Sequence, residues 1–403
     1  MDGEIRMWSD LPQELVEKIA NCLDTETDVL RFRAICSSWR SLTRPFRRSL
    51  CTPLKLPLIW KSYHPLYKDA YYSLIERNVY RVQLPETTEP RFWLVMTERS
   101  SDDKLRILNP VCGRRIKILP ETQLPKLLNT LDFRISEVCK GYTLRYMNPT
   151  GSKENPKYYF KQVIVSGDAN NDEYGIMAID FHNKLWCIKA GDDTWTLASY
   201  KWSNYLNYLD GVNHKGHIYV VDEFRGTLVF DSMFKSTEIT RRPVHHHVAQ
   251  SNLVELYKGE LFLVDCYTRG VPLGNGCMRI KISRFDKQSE KWVGTKTIDN
   301  HIIFLGHDCS FSVPAEEFDG SKGTRVFYES EFVYFLTDDA GYRKRDVEEI
   351  NFVVSDEVKL KFKELHGHNT GVCDFATGKT GSLLMHPEYA AIFWPPPSWL
   401  TRI

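Results

Sequence analysis

The chain of 403 residues has no run of about eighteen apolar residues, and its opening stretch, MDGEIRMWSDLPQELVEK, is acidic and polar without the apolar centre of a secretory leader. Neither a membrane-spanning helix nor a secreted chain is therefore expected. An excess of one charge is also missing. The 53 Lys and Arg face 52 Asp and Glu, for a formal net charge of +1, so no global field draws the chain to nucleic acid or to an anionic membrane. The ten cysteines include no Cys-x-x-Cys pair, and no Asn-x-Ser/Thr acceptor occurs, because Asn148-Pro149-Thr150 is excluded by its proline. That usage fits buried thiols in a reducing compartment, the nucleus or the cytoplasm.

Catalytic signatures are scarce in the same way. There is no His-Glu-x-x-His, no Gly-x-Ser-x-Gly elbow and no Gly-x-Gly-x-x-Gly fingerprint. The stretch ATGKT (376–380) lacks the earlier glycine of a phosphate-binding loop, since Cys373 stands at that position, and it reads as a polar hairpin turn. His245, His246 and His247, with His214 and His217 upstream, are of a type that ligates zinc. Consecutive residues of a strand point to opposite faces, however, so an exposed loop is the better reading. Arg343-Lys344-Arg345 lies among acidic neighbours and reads as a solvated loop. Nothing in the sequence argues for catalysis, a cofactor or a metal.

What is present divides in two. Residues 9–44 alone show clear helical periodicity: Leu11, Leu15, Ile19 and Leu23 recur every four residues, with Val16 and Ala20 widening the stripe. Pro12 suits a helix start and Glu14 complements its positive end. Asp24 to Asp28 then offers caps for a second helix carrying Val29, Leu30, Phe32 and Ile35, and Ser37 or Ser38 a cap for a third with Trp39 and Leu42. The basic, proline-rich stretch from Thr43 to about Pro65 favours extended connection.

From about residue 70 the pattern becomes short apolar runs bounded by Gly, Asn, Asp and Pro, which read as strands. One run repeats: GHIYVVD (216–222) and GELFLVD (259–265) share Gly-x-aliphatic-aromatic-aliphatic-Val-Asp at an interval of 43 residues, the length of one propeller blade. Looser copies begin at Lys104, Asn183 and Thr324. The stretches 184–202 and 279–298 read as strand, polar turn and Trp-bearing strand, as in the outer hairpins of a blade. Unrelated hairpins of a β-sandwich are the alternative, but roughly 330 residues suit six or seven blades of ~45 residues better. YAAIFWPPPSWL (389–400) gives an apolar strand, halted by three prolines, that is expected to close the ring.

A helical unit of this size seldom buries enough apolar area alone, so its stripe needs a second surface, either the β domain or another protein. The spacing Leu11-Pro12-x-x-Leu15-x-x-x-Ile19-x-x-x-Leu23, followed by Asp28-Val29-Leu30-Arg31-x-Arg33-x-Ile35-Cys36-x-x-Trp39-Arg40-x-Leu42, resembles an F-box. Ile35 stands where that family often has valine. LRFRAICSSWRS (30–41), FLGHDCSFSVPAEEF (304–318) and FWPPPSWL (393–400) make the whole chain similar to the plant SKIP-type F-box proteins, whose C-terminal part is regarded as kelch-like.

The resemblance implies a mainly β chain with a small α N-terminal unit. A three-helix F-box (5–45) is followed by a linker (46–69) and a kelch-like β-propeller (70–403) that recognises a substrate. It further implies a non-catalytic receptor of a Skp-cullin-F-box ubiquitin ligase. The chain would bind a Skp-family (ASK) adaptor, and through it cullin and a RING subunit, and would present a protein substrate of unknown identity. The adaptor contacts carried over are Leu11, Pro12, Leu15, Ile19, Leu30, Ile35 and Trp39. Alternatives are a kelch-like enzyme or small-molecule binder whose N-terminal helices only cap the propeller, and an F-box scaffold acting without cullin.

Overall fold

The computed structural model describes, a few internal positions excepted, residues 11–43, 54–59, 69–83, 92–113, 133–149, 160–198, 207–240, 250–268, 278–315, 323–329, 370–383 and 389–393. Three short helices come first: α1 (Gln13–Asn21), α2 (Glu26–Ala34) and α3 (Ser37–Leu42). Pro12 accepts from the Leu15 and Val16 amides with its carbonyl, so α1 begins where a missing N–H costs nothing. The third helix is capped not by a serine but by Cys36, whose backbone is extended and whose Sγ accepts from the Trp39 amide at 3.4 Å. At its other end Thr43 Oγ1 donates to the Trp39 carbonyl at 2.7 Å, and Arg33 donates to the Thr43 carbonyl.

Strands then follow in groups. The first comprises β1 (Lys55–Leu56), β2 (Tyr71–Gln83), β3 (Phe92–Arg99), β4 (Leu105–Leu108) and β5 (Arg134–Met147). The second comprises β6 (Phe160–Asp168), β7 (Glu173–Asp180), β8 (Leu185–Lys189) and β9 (Thr196–Leu197). The third is β10 (Tyr208–His214), β11 (His217–Asp222), β12 (Thr227–Phe230) and β13 (Ser236–Thr240); the fourth is β14 (Gln250–Leu256), β15 (Glu260–Thr268), β16 (Met278–Asp286) and β17 (Lys291–Thr295). The last holds β18 (His301–Leu305), β19 (Phe311–Pro314), β20 (Arg325–Glu329), β21 (Thr370–Asp374) and β22 (Thr380–Ser382).

The third and fourth groups are antiparallel four-stranded sheets, and the last is a five-stranded sheet in the order β19-β18-β20-β21-β22 with one parallel pair, β18 and β20. The first two groups share a nine-stranded sheet, yet β5 and β6 are registered only at Tyr142 and Val163, so that sheet is two blades meeting at their inner strands. Inner strands touch in the cycle β5, β6, β10, β14, β19 and back to β5. The ring is therefore a five-bladed propeller among the described residues, not six or seven blades. The estimate of ~45 residues per blade failed because β2 and β5 run to 13 and 14 residues and long connections separate other strands.

Burial follows the ring. Five of the seven residues of inner β14 are buried, whereas outer β13 buries one of its five and outer β17 none. A blade is covered on both faces by its neighbours, so its central strands are continuous apolar runs rather than alternating ones.

The repeat at Gly216 and Gly259 marks the same turn, between first and second strands, in the third and fourth blades. Both glycines have φ in the left-handed region, at 82° and 69°. The looser copies fall at other blade positions (β4, β8 and β20), which is why their spacing is irregular. A second repeat is formed by turns headed by aspartate. After Asp180, Asp222 and Asp231 the chain makes one and the same turn, in which the Asp Oδ1 accepts amides two and four residues on. The residue three on, Asn183, Arg225 or Phe234, takes φ near 60°.

The Trp-bearing hairpins form as expected. Trp292 Nε1 reaches from β17 to Thr227 Oγ1 of the neighbouring blade at 2.8 Å, and Trp195 Nε1 donates to the Pro57 carbonyl at 2.8 Å. Residues 54–59, read as connector, pack on the ring: Leu56 is buried, and Leu54, Leu58 and Ile59 lie against the core between the first two blades. ATGKT is the hairpin turn between β21 and β22.

The C-terminal stretch does not add a ladder strand among the described residues. The Ile392 carbonyl accepts the Leu94 amide at 2.8 Å, the Phe393 carbonyl accepts Trp93 Nε1 at 3.0 Å, and the Phe393 ring enters the core beside Phe304 and Phe327. Residues 394–400, His245–His247 and Arg343–Arg345 lie outside the described residues.

Candidate functional site

The helical stripe divides. Val16, Phe32 and Trp39 form a small core, with Leu11, Ala20, Leu23, Cys36 and Leu42 packed against it. The Phe32 and Trp39 rings lie 4.3 Å apart. Leu15, Ile19, Leu30 and Ile35 point the other way, 45, 38, 57 and 53% exposed, and Pro12 is exposed beside them. Helix α1 has apolar residues on two flanks, so the four-residue recurrence did not distinguish the inward Val16–Ala20 pair from the outward Leu15–Ile19 pair. Of the residues carried over as adaptor contacts, the structure exposes Pro12, Leu15, Ile19, Leu30 and Ile35, half-buries Leu11 and places Trp39, at 4% exposure, inside the unit.

The propeller does not cover the outward face. Among the described residues Arg31 joins the two parts: its Nη2 donates to the Phe133 carbonyl at 2.7 Å and its Nη1 reaches the Ile135 carbonyl at 3.5 Å. A single guanidinium on two carbonyls fixes a position without burying Leu30, its neighbour in sequence.

A second feature lies at the ring centre, a cavity of about 480 Å³ walled by β5, β6, β10, β14 and β19. That is within the ~300–1,000 Å³ range of ligand pockets. Asp210 faces it where the ladder between β10 and β11 shifts register, and accepts the Leu253 amide at 2.7 Å. Burial pushes its carboxyl up to about 7 despite the Leu253 and Gly211 amides. Asp308 faces the cavity too, but Arg77 Nη1 pairs with its Oδ2 at 2.7 Å. Burial alone would raise that carboxyl; His307 and Arg77 outweigh it and hold the group below the usual carboxylate range. Arg77 also pairs with the buried Glu98 at 2.7 Å, where Arg106 and Arg145 converge, so first and last blades share a network of buried charge. No signal in the sequence linked these residues, which are separated by up to 231 positions.

Among the described residues no group of three His, Cys, Asp or Glu is placed to hold a metal ion. His214 is buried with Nδ1 3.1 Å from Glu255 Oε2, and His217 is exposed.

Comparison with known proteins agrees with both parts. Residues 8–48 match the F-box domain and residues 71–366 the KIB1-4 beta-propeller. Over 98% of this chain and 95% of the relative, the sequence is 27% identical to F-box protein SKIP23 of Arabidopsis thaliana. It is 26% identical to F-box protein At2g17036 of the same plant over the same shares of each. F-box/kelch-repeat protein At1g64840, also from Arabidopsis thaliana, is 24% identical over 80% of this chain and 84% of its own. With three helices matching the one domain and a closed ring of blades matching the other, the chain belongs to the KIB1-4 beta-propeller family and carries an F-box at its N-terminal end.

Proposed function

We propose that the chain is the substrate-recognition subunit of a Skp-cullin-F-box ubiquitin ligase, with the helices docking a Skp-family adaptor and the propeller holding a protein substrate. One observation carries the reading: Leu15, Ile19, Leu30 and Ile35 are 38 to 57% exposed in the presence of the whole chain. An apolar face left open beside a complete propeller fits docking to another protein, and it counts against helices that merely cap the ring.

Pro12, Leu15, Ile19, Leu30 and Ile35 are then the direct contacts, with Leu11 at their edge, while Trp39 acts as a positioning residue by holding α2 and α3 together. The mechanism is proximity. The receptor forms no covalent intermediate but keeps a substrate lysine near a ubiquitin-charged enzyme on the same scaffold, raising its effective concentration. Loops at the mouths of the ring are the surface best suited to select that substrate. No disulfide joins the described cysteines, which fits a nuclear or cytoplasmic setting.

Co-purification of the full chain with a Skp-family adaptor tests the reading. The parent protein retains the adaptor and a Leu15→Ala/Leu30→Ala variant loses it; absence of binding by the parent protein refutes it.

A further inference from the structure

No strand is exchanged between the first and last blades among the described residues; their apolar cores merge through side chains such as Met96, Leu108, Phe304 and Phe327, and residues 306–310, in the stretch FLGHDCSFSVPAEEF, add polar contacts across the seam. The His307 amide donates to the Val111 carbonyl at 2.9 Å, and Asp308 takes Arg77 as described. Gly306 sits so close that a Cβ there would stand 2.7 Å from the Pro110 carbonyl oxygen. Within this seam the Sγ atoms of Cys309 and of Cys139, on β5, lie 2.8 Å apart. That is closer than the ~3.5–4.0 Å of ordinary heavy-atom contact and under ~1 Å from the ~2.05 Å of a sulfur–sulfur bond. Both cysteines line the central cavity, which gives a small solute access to them from inside the ring.

We propose that Cys139 and Cys309 are a reversible oxidation site, at which a small two-electron oxidant such as hydrogen peroxide forms a disulfide that ties the first blade to the last. One thiol loses its proton and attacks the peroxide, breaking the oxygen–oxygen bond; it becomes a sulfenic acid and one water leaves. The second thiol attacks that sulfur, the new bond forms, and its proton departs with the hydroxyl as a second water. Two thiols are oxidised and one peroxide is reduced, and a dithiol reductant reverses the change.

The resting pair is reduced. Burial, reinforced by the hydrogen bond with Cys309, pushes the Cys139 thiol well above the ordinary range, so the thiol form dominates at neutral pH and oxidation quickens as pH rises. The bond would close the ring covalently across residues 170 positions apart, a constraint that acts mainly on the unfolded chain. This site stands whether or not the chain serves a ligase.

The test uses the purified, fully reduced chain titrated with hydrogen peroxide, capped with an alkylating agent and digested without reductant. The expected product is one cross-linked species joining the peptides of Cys139 and Cys309, about 2 Da lighter than the two reduced peptides together, and lost on adding dithiothreitol. The melting temperature should rise by roughly 3–6 °C on oxidation and return on reduction. Cys139→Ser and Cys309→Ala should each abolish the cross-link and the rise, and either variant suffices if the other fails to fold. Oxidation of these cysteines to sulfinic or sulfonic acid without the link overturns the proposal. So does linkage of either one to a different cysteine, or a rise that persists in a folded variant.

Discussion

In the three-helix unit, Leu15, Ile19, Leu30 and Ile35 stand in solvent while Val16, Phe32 and Trp39 make a small core, with Val29 the one further apolar side chain buried there among the described residues. In the propeller the apolar residues turn inward: Phe304 is stacked on Phe311 and Phe327 at 4.8 and 4.9 Å and has no exposed surface. Eight large apolar side chains are exposed among the described residues; three lie in these short helices and a fourth, Ile35, in the turn between α2 and α3. The difference is one of completeness. The ring closes on itself and satisfies its own blades, whereas the helices depend on a surface from elsewhere.

The sharpest way to break this contrast is to damage the closed part. Phe304→Ala removes a ring stacked at the seam of first and last blades, and is expected to cost about 3–5 kcal/mol in a thermal or denaturant melt. Glu98→Ala should come next, at about 3–5 kcal/mol where neighbours cannot relax and less where the partly exposed Arg106 and Arg145 turn to water. The matching change on the helices, Glu14→Ala, removes an exposed carboxylate and should move stability by less than about 0.5 kcal/mol. Equal losses for Glu98→Ala and Glu14→Ala would contradict the comparison.

Two effects of opposite sign govern the pH response of the ring. Glu98 and Asp308 have carboxyls held below their usual range, so their contribution is present above about 4 and is lost as pH falls through the depressed values. Asp210 is raised to about 7, so the folded chain keeps a proton that the unfolded chain has released, and its contribution falls as pH climbs from about 4 to about 7. Asp210→Asn should therefore gain stability relative to the parent across that window, on the order of a few kcal/mol at most. Melts at pH 5 and pH 8 check it, and a constant difference between the two proteins at both would rule the assignment out.

What the sequence showed and what it hid follow the range of the interactions. The helices were legible because Leu15–Ile19 and Val16–Ala20 are local spacings, and the strands because their apolar runs end at turn residues. Which flank of α1 faced inward was not legible, since both carry apolar side chains and only the packing of Phe32 and Trp39 decides. Blade count was misjudged because β2 and β5 are more than twice as long as strands such as β8. The Asp-headed turns at Asp180, Asp222 and Asp231 left only a faint signal, an aspartate just after an apolar run, because the residues that take positive φ, Asn183, Arg225 and Phe234, share no type. The Arg77–Asp308 and Cys139–Cys309 pairs left none, because no spacing rule joins residues 231 and 170 positions apart.

The smallest expected effect on folding is the most discriminating. Leu30 is 57% exposed, so Leu30→Asp places a charge in water rather than in a core and should change the melt by less than about 0.5 kcal/mol. If that face is the adaptor's seat, the same charge is desolvated on docking, and binding should weaken by about 2 kcal/mol or more, some thirtyfold or greater in Kd. Trp39→Ala is the control: it empties the core of the helical unit, costs about 3–5 kcal/mol there, and reduces binding only because the helices no longer hold their places. Calorimetric binding set beside circular dichroism separates the two. A Leu30→Asp protein that keeps both its helices and its adaptor would mean that the open face serves some other contact; one that keeps its helices and loses the adaptor shows that the face exists to be covered.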